Sequence, residues 1–221
     1  MDPMTEKPVT TRDSAIDEWM RALSASTGSP GGGAGAGVML AIAASLTAMV
    51  AGYTETDDGG RRALDALLDR AHALREDALD LADADAEASQ AFGAAFALER
   101  GPARVEAVAR ASVAAARTSA ALGLRAVDAV DDLAWLAEHG NRALVADVVV
   151  ACGALRAAVA GARTNVSFDL GSLRSAGEPL DRVRQENPEL WRSVSSFDEA
   201  LARIDRLTAA LDPRAAPTDA V

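Results

Sequence analysis

Residues 29–53 read SPGGGAGAGVMLAIAASLTAMVAGY and contain no charged side chain. The first five, Ser29-Pro30-Gly31-Gly32-Gly33, mark a helix start, because proline lacks a backbone donor and glycine has little helix propensity. From Ala34 onward the residues are small or apolar and mostly good helix formers. A helix apolar on every side must be surrounded, by lipid or by other helices. Ala34 to Tyr53 approaches the length of a membrane span. The Gly-Ala repeat at its start, Ser45 and Thr47 within it, and the lack of a close basic cluster favour a buried core helix. Such a helix also aims free N–H groups and its positive dipole end into the glycine loop. Gly31-x-Gly33-x-x-Ala36 resembles a relaxed dinucleotide fingerprint, but no strand precedes it and no βαβ unit surrounds it.

Working outward, helical patterns cover most of the 221 residues. Ser14-Ala15-Ile16-Asp17 reads as a loose capping box, followed by Ile16, Trp19, Met20 and Leu23 on one face. A long amphipathic segment runs from about Arg61 to Leu98, with Leu64, Leu67, Ala71, Leu74, Ala78 and Leu81 at three- and four-residue steps. Gly101-Pro102 stops it. The pattern resumes over Ala103–Glu138 as one helix, and His139-Gly140-Asn141 ends it. A nearly all-apolar helix is expected over Ala143–Ala162. Thr164–Leu170 alternates with period two and is expected to be extended. Helices over roughly Leu180–Trp191 and Phe197–Leu211 complete the chain. The expectation is an all-α, single-domain antiparallel bundle of about five to seven helices over 13–211, between disordered ends at 1–12 and 212–221.

Composition narrows the function. Apolar residues make up 49% of the chain and aromatics only 4%, so the core must be built mainly from Ala, Val and Leu. A net charge of −11 argues against a nucleic-acid partner, which needs clustered Lys and Arg. The single cysteine, Cys152, falls in an apolar helix and reads as a buried, inert thiol. With His72 and His139 the only histidines, no cluster is suited to a metal. The polar, mixed-charge N-terminus is unlike a secretory leader, so a cytoplasmic, non-membrane protein is expected.

Three features interrupt the apolar pattern. The stripe from Leu64 to Leu81 reaches Asp85 at its next step, which places a carboxylate on a core-facing edge. Asp83 lies off that stripe and reads as solvated. Asp147 and Arg156 are the only charges between Ala143 and Ala162, and nine residues put them on opposite faces. Asp147 therefore needs a partner from elsewhere, a ligand, or the dipole at its helix start. The third feature is the glycine loop itself, which reads either as a helix start facing a ligand or as a flexible connector between two helices.

In order along the chain, these motifs resemble the cyclodeaminase domain of formiminotransferase-cyclodeaminase and the bacterial methenyltetrahydrofolate cyclohydrolases. The resemblance rests on Ser29–Gly33 leading to Met49-Val50-Ala51, on Asp85-Ala86-Glu87-Ala88, on Gly140-Asn141 followed by Asp147, and on Asn165-Val166-Ser167-Phe168-Asp169-Leu170. It covers about Trp19 to Leu173. It implies an all-α dimer that hydrolyses 5,10-methenyltetrahydrofolate, or closes 5-formiminotetrahydrofolate with loss of ammonia, with neither metal nor nucleotide cofactor. It also implies Asp85 and Asp147 as acid/base or cation-stabilising groups. Ser29, Pro30, Gly31, Gly32, Gly33, Asn141, Asn165 and Asp169 would hold the substrate, with Asn165 orienting its ring. Where relatives often carry a basic run for folate's glutamate tail, this chain reads Thr54-Glu55-Thr56-Asp57-Asp58. Ala146 replaces a hydroxyl residue, and Asp169 stands where an Asn is usual. The acidic run is expected to repel an anionic tail. The alternatives are a relative acting on another amidine or imine, and a non-catalytic protein on the same scaffold.

Overall fold

The structure is a computed structural model that describes residues 9–175 and 179–212. It is all-α, as the sequence implies. The described elements are α1 (Ile16–Ser24), α2 (Gly32–Gly52), α3 (Asp58–Ala97), α4 (Pro102–Asp128), α5 (Val130–His139), a 3-10 turn (Arg142–Leu144), α6 (Val145–Ser175), α7 (Leu180–Glu186) and α8 (Pro188–Leu211).

The uncharged α2 is surrounded by other helices rather than standing apart. It packs between α3 and α6, while α4 closes the ring by packing on α3 and α6 in turn. Short connections make α2, α3 and α4 alternate in direction, as in an up-and-down bundle. α8 lies along α4 and α6 and seals the outside of that pair with Phe197, Ala200 and Ile204, all buried. Leu40, Leu64, Leu67, Leu122, Leu133 and Leu155 fill the interior. The small residues of α2 allow its close contact with α3. A Cβ on Gly37 would stand 2.6 Å from the Ala82 Cβ, closer than real methyl groups approach. α2 and the segment containing α6 are each long and apolar enough to cross a membrane, and 56% of the α2 window is buried within the fold.

Several local readings change. Thr164–Leu170 is not extended but continues α6, whose helical period buries Val166 and Leu170 four residues apart. Phe168, placed with them by the period-two reading, is 70% exposed. The expected single helix over Ala103–Glu138 divides at Ala129 into α4 and α5. No glycine or proline marks that break. Arg70 of α3 donates to the buried Asp132 in the first turn of α5, which ties the new direction to the bundle. The last two helices meet at Asn187-Pro188, so Trp191 and Phe197 belong to one helix.

The Ser14 box does not form. Ala15 is the cap residue of α1, and the Ser14 hydroxyl accepts instead from the Thr10 N–H. On α1 only Trp19 is buried, while Ile16 and Met20 are exposed. Residues 9–12 lie against α3, where Arg12 donates to Glu76 and Asp80. Asp83 accepts the Thr11 N–H there and is half-buried rather than free in solvent. Residues 1–8 and 213–221 lie outside the described residues. Cys152 is fully buried, and burial pushes its thiol pKa up, as expected of an inert core cysteine.

Candidate functional site

The glycine loop is pinned to α3 before α2 begins. The Ser29 hydroxyl donates to the Ala86 carbonyl at 2.9 Å, and the Thr27 hydroxyl to the Ser29 carbonyl at 3.1 Å. Gly31 takes the cap position of α2 without a side-chain partner, so the first N–H groups of the helix remain for another acceptor. Asp85 of α3 is that acceptor. Its carboxylate takes a hydrogen bond from the Ala34 N–H. It also accepts from the Ser119 hydroxyl of α4 at 3.3 Å, and from Ser89 one turn away. This approach requires the glycine, because a Cβ on Gly33 would stand 2.1 Å from the Asp85 Oδ1.

Asp85 is 5% exposed and has no ion-pair partner among the described residues. Burial raises its pKa, and the three hydrogen bonds oppose the rise. A second carboxylate faces it. Asp169 of α6 is 9% exposed, and burial followed by the charge of Asp85 pushes its pKa up to about 7. The two acids together line a cavity of about 340 Å³. Gly28, Gly31, Gly32 and Gly33 form one wall, Ser89, Phe92 and Ser119 another, and Asn165 and Phe168 join Asp169 on the third. Among the described residues, no Lys or Arg lines this cavity. Two carboxylates held this way cannot both ionise cheaply, so the cleft favours a cationic guest.

The helical form of Thr164–Leu170 assembles the third wall. An extended strand would have put Phe168 on the face opposite Asn165 and Asp169. In a helix, steps of three and four bring all three to one face. Of the expected site residues, the structure therefore brings together Gly31, Gly32, Gly33, Asp85, Asn165 and Asp169, with Ser29 and Pro30 in the loop behind them.

Asn141 and Asp147 are not brought to this cleft. Asp147 occupies the first turn of α6, about 33 Å of helix away from Asp169 by the helical rise. It sits where the helix dipole stabilises an anion, the ordinary place for such a residue. Arg156, its neighbour in sequence, pairs with Asp205 of α8. Asn141 holds two chain turns together: its N–H donates to the Thr54 hydroxyl, and its side-chain amide to the Tyr53 carbonyl at 3.0 Å. The acidic run Glu55–Asp58 is also at that end, one α2 length from the glycine loop, or about 30 Å. It does not border the cleft of its own chain.

Ser89, Phe92, Ser119 and Phe168 are cleft residues that the sequence reading left without a role. Ser89 and Phe92 could have been found by extending the Asp85 face by four and three residues. Ser119 has no comparable signal, since it arrives from a different helix.

A model of the family described as formiminotransferase-cyclodeaminase matches residues 15–185. The chain belongs to that family. The matched region holds every lining residue of the cleft. The fold is also similar to the crystal structure of formiminotetrahydrofolate cyclodeaminase from Thermotoga maritima, with a TM-score of 0.74 and 22% identity. That match covers 90% of this chain and 98% of the Thermotoga chain, so the two share one fold over most of their lengths. No curated protein sequence matches the chain. In this member of the formiminotransferase-cyclodeaminase family, Asp85 and Asp169 are the only ionisable residues lining the cleft among the described residues.

Proposed function

We propose that the cleft binds a one-carbon derivative of tetrahydrofolate and exchanges a bond at its one-carbon unit. The reaction would be hydrolysis of the 5,10-methenyl bridge, or closure of a 5-formimino group with release of ammonia. The observation that carries this reading is the buried Asp85–Asp169 pair beside the glycine loop, with no cationic side chain in the lining among the described residues. A methenyl or protonated formimino carbon belongs to an amidinium, and that positive charge suits the vacancy in the charge balance.

The two carboxyl groups are set for different tasks by their surroundings. Asp85 is held by three hydrogen bonds to its anionic form and serves as the fixed counter-charge to the amidinium. Asp169, with a pKa of about 7, is suited to moving a proton near neutrality. In hydrolysis, water forms the new C–O bond and gives one proton to Asp169; the C–N bond then breaks as the ring nitrogen takes that proton, and the second water proton leaves the oxygen for solvent as the formyl carbonyl forms. In closure of the protonated formimino group, the second folate nitrogen forms the new C–N bond and passes its proton through Asp169 to the formimino nitrogen, whose bond to carbon breaks to release ammonia and leave the methenyl cation. Neither path changes the oxidation state of the one-carbon unit, so neither calls for a redox cofactor. Asn165 offers an amide donor and acceptor to the ring edge.

Initial rates with each substrate, one followed by loss of the methenyl chromophore and the other by ammonia release, separate the two reactions. We expect at least one rate to exceed the buffer reaction. Two rates equal to buffer with folded protein would sink the catalytic reading.

We also propose that two copies associate through the outer face of α2 and α6. Met39, Ile42 and Met49 of α2 and Val150 of α6 are exposed there. Sedimentation should give twice the 22.7 kDa chain mass, and Ile42→Glu should halve it. A monomeric wild-type protein would end that proposal.

A further inference from the structure

The face of α3 that carries Asp85 continues past the cleft. Asp85, Ser89, Phe92 and Phe96 follow at steps of four, three and four, so they fall on one side of the helix. The first three line the cleft, and Phe96 lines a second cavity of about 350 Å³. The Phe92 and Phe96 rings meet at a tilt of 50° with centroids 4.8 Å apart, one in the lining of each space. α6 makes the same connection on the other side, with Phe168 and Asp169 in the cleft and Ser172 one turn further along in the second cavity.

The second cavity has opposite electrostatics. Its lining includes Arg100 and Arg104, on either side of the α3–α4 turn, and no acidic residue among the described residues. In a chain of net charge −11, eleven of the twenty described arginines pair with a carboxylate. Neither of these two has an ion-pair partner among the described residues. Arg104 instead lies over the Phe96 ring, 5.6 Å from its centroid, where an aromatic face holds a guanidinium without neutralising it. Val105 and Val108 supply an apolar floor. From Asp85 to Phe96 the helix rises about 16 Å.

We infer that Arg100 and Arg104 form a subsite for the carboxylate tail of the substrate, with the Phe92–Phe96 pair carrying the aryl group between head and tail. A ligand cationic at one end, aromatic in the middle and anionic at the other matches this order of Asp85/Asp169, Phe92/Phe96 and Arg100/Arg104. Tetrahydrofolate one-carbon cations have that order, and their aryl-amide span is on the order of 10–15 Å by standard bond lengths. The inference rests on the folate reading above and extends it to the tail. It also replaces the basic run missing at Glu55–Asp58, which lies at the far end of α2. Guanidinium groups suit the task because they grip carboxylates with paired donors.

The test uses the tail alone. p-Aminobenzoyl-triglutamate, which has no one-carbon unit, is titrated into the wild-type protein, Arg100→Gln/Arg104→Gln and Asp85→Asn. We expect the double variant to weaken binding at least tenfold and to flatten its salt dependence. Asp85→Asn should leave tail affinity within twofold. Both arginines are at least partly exposed, so folding should survive, with circular dichroism as the check. Failure of the wild-type protein to bind the probe, or equal binding by the double variant, would overturn the subsite. Turnover is scored separately. Tail binding that depends on the arginines, without turnover of either folate, keeps the subsite and removes the catalytic reading. Turnover with tail binding indifferent to the arginines does the reverse.

Discussion

Asp85→Asn should lower turnover at least about 100-fold while leaving the protein folded and no less stable. The amide keeps an oxygen acceptor for the Ser119 hydroxyl and the Ala34 N–H, so the contacts between α2, α3 and α4 survive. What disappears is the fixed negative charge opposite the substrate cation. Removing a charge that is desolvated in the free protein also relieves an unfavourable term. Loss of activity with a maintained or raised Tm therefore separates this account from damage to the fold, and steady-state rates beside thermal melts provide both readings. An Asp85→Asn protein with wild-type kcat/KM would contradict the role given to this carboxylate.

Asp169→Asn should change how stability depends on pH. In the folded protein, burial and the Asp85 charge push the Asp169 pKa from 3.8 up to about 7. Between these values the folded state keeps a proton that the unfolded chain has released. Unfolding then releases that proton, so stability falls as pH rises through about 4 to 7 and levels off above. A shift of this size corresponds to at most about 4 kcal/mol, and relaxation around the cleft reduces it. Asp85, raised in the same direction, adds to the trend. We expect wild-type Tm to drop across this window and Asp169→Asn to remove much of the slope. Above pH 7 the variant should melt about 4–8 °C higher, taking roughly 2 kcal/mol as the realised gain. In kinetics, the wild-type kcat/KM should rise with an apparent pKa near 7, and the variant should lose that limb. Parallel pH–Tm curves for the two proteins would show that Asp169 does not carry the proton.

Both effects trace to residues whose visibility in the sequence differed. Asp85 stood out because the stripe from Leu64 through Ala78 was regular enough that one carboxylate at the next step broke it. The glycine loop was readable for a similar reason, since Ser29–Gly33 stands directly before an uncharged run of helix formers. Asp169 was found through its motif, yet its local geometry was misread. Over seven residues, Thr164–Leu170 shows an apparent alternation because the apolar Phe168 shares the cleft face with Asn165 and Asp169 while Val166 and Leu170 face the core. A short window cannot distinguish that from a strand. The break at Ala129 was hidden because a contact between Arg70 and Asp132, far apart in the chain, fixes the direction of α5. Asp147 interrupted an apolar helix just as Asp85 did, but its position in the first turn of α6 puts it beside the helix dipole rather than in the cleft. Pattern alone marks a misplaced charge; only the packing shows whether it meets another charge, a helix end or a cavity.

The central claim is that Asp85 and Asp169, facing each other beside the glycine loop, form a cleft for a cationic folate. Its most direct measurement is the decay of 5,10-methenyltetrahydrofolate absorbance at neutral pH, with wild-type protein, Asp85→Asn and buffer alone run side by side. The account predicts a decay well above buffer for the wild type and a return to the buffer rate for Asp85→Asn. Equal decay in the two proteins, both above buffer, would contradict it.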